Sequence, residues 1–311
     1  MSVNPRRLRI ATRESRLALR QTGMVAAALR ERHASLEVEI VGMTTRGDQV
    51  LDRPLAKIGG KGLFVKELEL AIDADRADIA VHSMKDVPMV IPGQFALATF
   101  GAREDPRDAF VSNRYATLAA MPAGAVVGTS SVRRECQLRR LYPKLAFRGL
   151  RGNVNTRLAK LDAGDYDAII LAVAGLKRLE LGARVRATLD ETIPAICQGI
   201  LAIEYRRDRD DIARLLADFE HEATASAARA ERAFGLVVEG SCEVPVGALA
   251  RVDAGAIAIE GFIGMPDGTR LVRERAAGPC EDAGRIGAEL GDKLLVAGGR
   301  EILKSLAGVS A

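Results

Sequence analysis

Lys85 and Asp86 stand side by side, two residues after Ser83 and three after His82, with Pro88 closing the stretch. Five residues thus offer an ammonium, a carboxylate, a hydroxyl and an imidazole. Such a set suits stabilisation of charge that develops on a bound molecule. Taken alone, an exposed Lys–Asp pair fits the same spacing and would be worth only ~0–1 kcal/mol. The set is not alone. Basic residues recur at turns along the chain: Arg13 with Ser15, then Ser131 with Arg133 and Arg134, then Arg151 with Arg157, then Arg178 beside Lys177. Guanidinium forks grip carboxylates and phosphates bidentately. Arg133 and Arg134 fall in the first turn of a helix expected to start near Val132, where cations oppose the helix dipole. A bound anion would relieve that conflict.

Two glycine-bearing segments add to these turns. Lys57-Ile58-Gly59-Gly60-Lys61-Gly62 does not follow the Walker A spacing, so it is read as a mobile segment able to fold over a ligand. Cys242 lies in the loop Glu239 to Pro245. A cysteine there is compatible with an inert buried thiol and with a reactive one.

The elements that must position these residues follow from periodicity. Ala77 to Val81 is a short apolar run, read as a buried strand that delivers Ser83, Lys85 and Asp86 at its carboxyl end, where α/β folds hold ligands. Leu8 to Ala11 is a strand, and Ser15 is the N-cap of a helix reaching about His33. Val38–Met43, Phe95–Phe100, Asp108–Val111, Ala125–Gly128, Leu145–Phe147 and Tyr166–Ala172 read as further strands, and Ile200–Glu204 as a strand returning to the first set. The expected fold is α/β: two periplasmic-binding-protein-like lobes around a cleft, plus a smaller α+β C-terminal domain. The expected boundaries are 1–101 with 198–217 for the first lobe, 102–197 for the second, and 218–311 for the last domain. In that last part, Asp208 to Phe234 reads as helical, three alternating segments as strands, and Asp282 to Leu306 as a closing helix.

Composition narrows the function classes. The 311 residues suffice for two or three domains, and 48% hydrophobic with 28% charged residues is ordinary for a globular protein. No apolar run approaches a membrane span and the N-terminus has no signal-peptide core, so a cytoplasmic protein is expected. Four scattered cysteines without a C-x-x-C pair suggest free thiols, and three histidines at no ligand spacing argue against a metal. Residues 131–160 hold nine Lys or Arg against one acid, Glu135. Nucleic acid is a competing ligand for that block, but 4% aromatics and no tryptophan leave few stacking platforms. An exported solute-binding protein is the other competitor and would need a signal.

Taken together, Arg9-Ile-Ala-Thr-Arg-Glu-Ser15, Lys57 to Lys66, His82 to Pro88, Arg103 to Val111, Gly128 to Arg134 with Arg148 to Arg157, and Gly240 to Pro245 resemble the porphobilinogen deaminase (hydroxymethylbilane synthase) family. The resemblance implies a transferase of tetrapyrrole and heme biosynthesis. It would add four porphobilinogen molecules head to tail on a covalent dipyrromethane cofactor, lose ammonia each time, and release hydroxymethylbilane by hydrolysis. It implies that Cys242 carries the cofactor, that Asp86 is catalytic, and that Lys85, Asp86, Ser131, Arg133, Arg134 and Arg157 hold the cofactor. Arg13, Ser15, Ser83, Arg151 and Arg178 would bind substrate, with Lys57, Gly59, Gly60, Lys61 and Gly62 in the mobile loop. No metal, nucleic-acid or membrane partner is implied, and a monomer is expected. Each pyrrole brings two carboxylates, which gives the many arginines a reason. Arg16, Arg20 and Cys197 depart from the family pattern, the first two at a helix start and the third where glycine is usual.

Overall fold

The computed structural model describes residues 6–45, 47, 62, 65–239 and 244–309. The chain divides into two compact units, residues 1–104 with 200–225, and residues 105–199 with 226–311.

The first unit holds a five-stranded sheet of β1 (Arg7–Arg13), β2 (Glu37–Met43), β3 (Ile79–Ser83), β4 (Phe95–Phe100) and β10 (Leu201–Arg206), in the order β2-β1-β3-β10-β4. β1 runs parallel to β2 and β3, and β10 is antiparallel to β3 and β4. β3 alternates its side chains between two apolar clusters. Ile79 and Val81 join Val25, Ala26 and Leu29 of α1 (Arg16–Arg32). Ala80 joins Leu68, Ala71 and Ile72 of α2 (Lys66–Asp73). Burial on both faces explains why the strand reads as a continuous apolar run. The strand returning at residue 200 is therefore present, and it is inserted beside β3 rather than at an edge.

The second unit repeats this plan. β5 (Asp108–Val111), β6 (Val126–Gly128), β7 (Ala146–Arg148), β8 (Ala168–Ala172) and β9 (Ala187–Leu189) take the order β7-β6-β8-β5-β9. β5 is the antiparallel member, paired with β8 and β9. Three helices accompany this sheet in sequence, α3 (Val132–Leu141), α4 (Val154–Asp162) and α5 (Val173–Arg178). The stretch Asp208 to Phe234, expected to be mostly helical, holds α6 (Asp210–Ala217) and most of α7 (Glu222–Val237).

A three-stranded antiparallel sheet follows, β11 (Val246–Asp253), β12 (Ala256–Gly264) and β13 (Leu271–Pro279). It belongs to the second unit and seats Phe262 against Cys136 and Ile193. Two glycines permit that seating. A Cβ on Gly247 would lie 2.6 Å from the Pro194 carbonyl oxygen, and one on Gly264 would overlap Cys136 Sγ. The expected closing helix is interrupted. α8 (Ala283–Leu294) gives way to a wide turn at Leu295–Gly299, where Gly298 has φ of 113°, before α9 (Arg300–Val309) resumes. Only glycine takes that conformation at low cost.

Candidate active site

β3 ends at Ser83, and a single 3₁₀ turn, Met84–Asp86, ends the pairing before Pro88 is reached. Met84 is buried and anchors the turn, with its N–H donating to Ile200 O at 2.9 Å. Asp86 at the end of the turn is exposed and Lys85 is half-buried. Arg13 closes β1, and Ser15 Oγ accepts from the Ala18 N–H at 3.3 Å as the N-cap of α1. A small cavity of about 50 Å³ joins these pieces, lined among others by Arg13, Ser15, His82, Ser83 and Asp86. The structure thus brings together five residues that the sequence singled out in two stretches far apart in the chain. Arg16 and Arg20 are exposed on α1, so their departure from the family pattern leaves the helix's buried face intact.

The cavity has a polar floor that sequence reasoning missed. Gln21 is buried and its Nε2 donates to Ser83 Oγ at 2.8 Å. His82 Nε2 lies 3.0 Å from Glu204 Oε2, and both side chains are buried. Glu204 Oε1 has no hydrogen-bond partner. Glu69 on α2 feels this charge, since burial and then Glu204 push its carboxyl up. The signal for Gln21 was available, because Leu17, Ala18 and Gln21 share one helical face. The His82–Glu204 pair spans 122 positions and left no local trace.

In the second unit, Ser131 Oγ accepts from the Arg134 N–H at 3.4 Å and caps α3, as expected. The two cations in that first turn do not face solvent. Arg133 and Arg134 are buried, and both pair with Asp108 at 2.8 Å. Arg134 also donates to Ile170 O at 2.8 Å, Arg133 to Ile193 O at 2.6 Å, and Gln198 Nε2 to Asp108 Oδ1 at 2.9 Å. Burial opposes a charge on Asp108, but the two guanidiniums outweigh it and hold the carboxyl well below the usual carboxylate range. The dipole conflict read from the sequence is therefore answered by an internal carboxylate.

The other basic residues lie at backbone turns of this unit. Arg157 Nε donates to Gly152 O at 2.7 Å, where Gly152 has φ of 113°, and Asn153 caps α4 by accepting from the Thr156 N–H. Arg151 precedes that cap and is half-buried. Arg178 is buried and donates to Gly199 O at 2.7 Å. Cys197, where glycine is usual in the family, has φ of 60° and is buried. Glu231 holds it there, accepting from the Cys197 N–H at 2.5 Å and from the Ala250 N–H at 2.8 Å. That left-handed backbone explains the usual glycine. Cys242 and Lys57, Gly59, Gly60 and Lys61 lie outside the described residues. Gly62 is described, with φ of 93° at the turn that leads to α2. Among the described residues no group of three or more His, Cys, Asp or Glu is placed to hold a metal, and no helix is long and apolar enough to cross a membrane.

Comparison with known proteins covers almost the whole chain. Residues 8–214 match the family described as porphobilinogen deaminase, dipyromethane cofactor binding domain. Residues 225–296 match porphobilinogen deaminase, C-terminal domain. The chain is 56% identical to the porphobilinogen deaminase of Thiobacillus denitrificans over 301 residues, 96% of this chain and 98% of that one. It is 54% identical to that of Paraburkholderia phytofirmans over 314 residues, 99% and 92% of the two chains. Among solved structures, the methionine binding protein MetQ has a TM-score of 0.45 at 12% identity, covering 73% of this chain and 96% of that one. With two domain descriptions matched in order and more than half of all positions shared with such relatives, the chain is a member of the porphobilinogen deaminase family.

Proposed function

We propose that this chain is a hydroxymethylbilane synthase, condensing four porphobilinogen molecules with loss of ammonia and releasing the linear tetrapyrrole. The observation that carries the reading is Asp86 at the carboxyl end of β3, in one cavity with Arg13, Ser15 and Ser83, in a chain of this family. The donor set fits carboxylate-bearing pyrroles. Arg13 and the N-terminus of α1 supply positive charge for acetate or propionate groups. Asp86 is the cavity's acceptor for a pyrrole N–H. It would stabilise positive charge on the substrate ring as ammonia leaves and as the new carbon–carbon bond closes.

A dipyrromethane group, when bound, supplies the free ring carbon to which the first substrate is joined. Cys242 is the proposed attachment point, supported by its glycine-bearing loop and its match to the family loop. Ser131, Arg133, Arg134 and Arg157 are proposed to meet that group's carboxylates, with Lys85 assisting from the β3 turn, and Arg151 and Arg178 to meet those of the substrate. For Arg133 and Arg134 this means sharing their remaining donors while Asp108 keeps them in place. Division into three domains at the boundaries given above, a monomeric state and a cytoplasmic location are parts of the same proposal. The free thiols of Cys136, Cys197 and Cys280 are consistent with a reducing compartment.

The test has two parts. Intact mass after denaturation should exceed that of the bare polypeptide by one dipyrromethane, and Cys242→Ala should remove the excess. With porphobilinogen the parent should release ammonia and hydroxymethylbilane. Asp86→Asn should keep the fold and lower kcat by about 10²–10³ with KM changed far less, since one charged acceptor is lost from the site. An Asn variant that turns over within a few-fold of the parent would remove Asp86 from the chemistry.

A further inference from the structure

Ser83 has one side-chain partner among the described residues, the amide of Gln21, whose Nε2 donates to its Oγ at 2.8 Å. Gln21 is 3% exposed, and with Leu17 and Ala18 it forms the α1 wall of the cavity that Asp86 and Arg13 also line. A serine hydroxyl has one proton to give and lone pairs that accept. An N–H directed at Oγ occupies a lone pair, so the hydroxyl proton must go to another acceptor. No other described group takes it, and the cavity is the open direction. The reverse arrangement, Gln21 accepting the Ser83 proton, would turn oxygen lone pairs toward a carboxylate and repel it.

We propose that Gln21 is a positioning residue. It fixes Ser83 as a hydroxyl donor aimed at an oxygen acceptor of the ligand, of which a carboxylate is the class that Arg13 and the α1 N-terminus beside the same cavity favour. The assignment rests on the deaminase reading above, in which the ligand is a carboxylate-bearing pyrrole. It requires Gln21 to act through Ser83 and not to touch the ligand itself.

A double-mutant cycle on the cofactor-loaded enzyme tests this, using porphobilinogen as substrate. Gln21→Met keeps length and apolar contact but removes the donor. Ser83→Ala should raise KM about tenfold with kcat within threefold, as expected for one lost hydrogen bond to a charged group. Gln21→Met should raise KM by less, and the double variant should match Ser83→Ala within twofold. A double variant whose loss is the product of the single losses would overturn the proposal, as would unchanged KM in Gln21→Met. Intact mass separates this from failure of the deaminase reading. If the parent carries no adduct and does not consume porphobilinogen, that reading falls and takes the proposal with it. If the parent is active and the losses multiply, the positioning role alone is wrong. Should Gln21→Met fold poorly by circular dichroism, Gln21→Leu, which also removes the donor without adding charge, takes its place in the cycle and the same criterion applies.

Discussion

β5 and β10 occupy the same place in their sheets, and each carries one buried carboxylate, yet the two carboxylates are treated differently. Asp108 on β5 is met by Arg133, Arg134 and Gln198. Glu204 on β10 is met by His82, and its second oxygen is left without a partner. Each carboxylate leaves one oxygen without a hydrogen bond, Asp108 Oδ2 as well as Glu204 Oε1, but Asp108 is ion-paired by two guanidiniums, with Arg133 Nη2 2.8 Å from Oδ2. The second has a single side-chain partner, the His82 imidazole at 3.0 Å. The comparison teaches that one strand arrangement can bury either a permanent ion cluster or a lightly supported pair. The partners supplied by neighbouring elements decide which.

The largest effect should come from Asp108→Asn. Removing one member of a buried ion cluster leaves two guanidiniums uncompensated and should cost about 3–5 kcal/mol, read as a lower Tm and denaturant midpoint. Acid should sharpen the same point. Because the folded carboxyl is held low, its contribution is present above the unfolded value of about 3.9 and is lost as pH falls toward the folded value. The parent should therefore lose stability below about pH 4 more steeply than the Asn variant. Equal acid slopes would mean that Asp108 is not the fixed charge described here.

Glu204→Gln should cost less, about 1–3 kcal/mol, because one hydrogen bond is weakened and one oxygen had none to lose. A loss as large as that of Asp108→Asn would erase the distinction between the two strands. The smallest effect belongs to Glu69, beside Glu204. Its carboxyl is raised by burial and by Glu204, so folding favours its neutral form. The associated stability is full below the unfolded value and is lost as pH rises through the folded one. Glu69→Gln should therefore raise stability at pH 7 slightly, by up to about 0.5 kcal/mol, and leave it unchanged near pH 3. A destabilised Gln variant at pH 7 would show that Glu69 is supported better than its neighbours suggest.

Much of the framework was legible because it rests on short-range physics. Ser15 and Ser131 cap their helices as read, since an N-cap needs only its own hydroxyl and an N–H three residues on. β3 and β8 follow from apolar runs. Where the reading missed, a break depended on one residue's conformation, as at Gly298 in the closing helix, or on a partner from another element.

The sequence by itself determined the two α/β sets, the turn that presents Lys85 and Asp86, and the family, because many ordered motifs agree along one chain. Only the tertiary structure decided what the arginines of α3 face. A helix dipole argument sees Arg133 and Arg134 as cations in want of an anion, and cannot see that β5, folded beside β8, places Asp108 between them. It likewise decided that Gln21 reaches Ser83 across 62 positions and that Glu204 reaches His82 across 122. Periodicity and capping are written in neighbours along the chain. Hydrogen-bond satisfaction of a buried polar group depends on neighbours in space, and the packing of helices on ordered strands sets those.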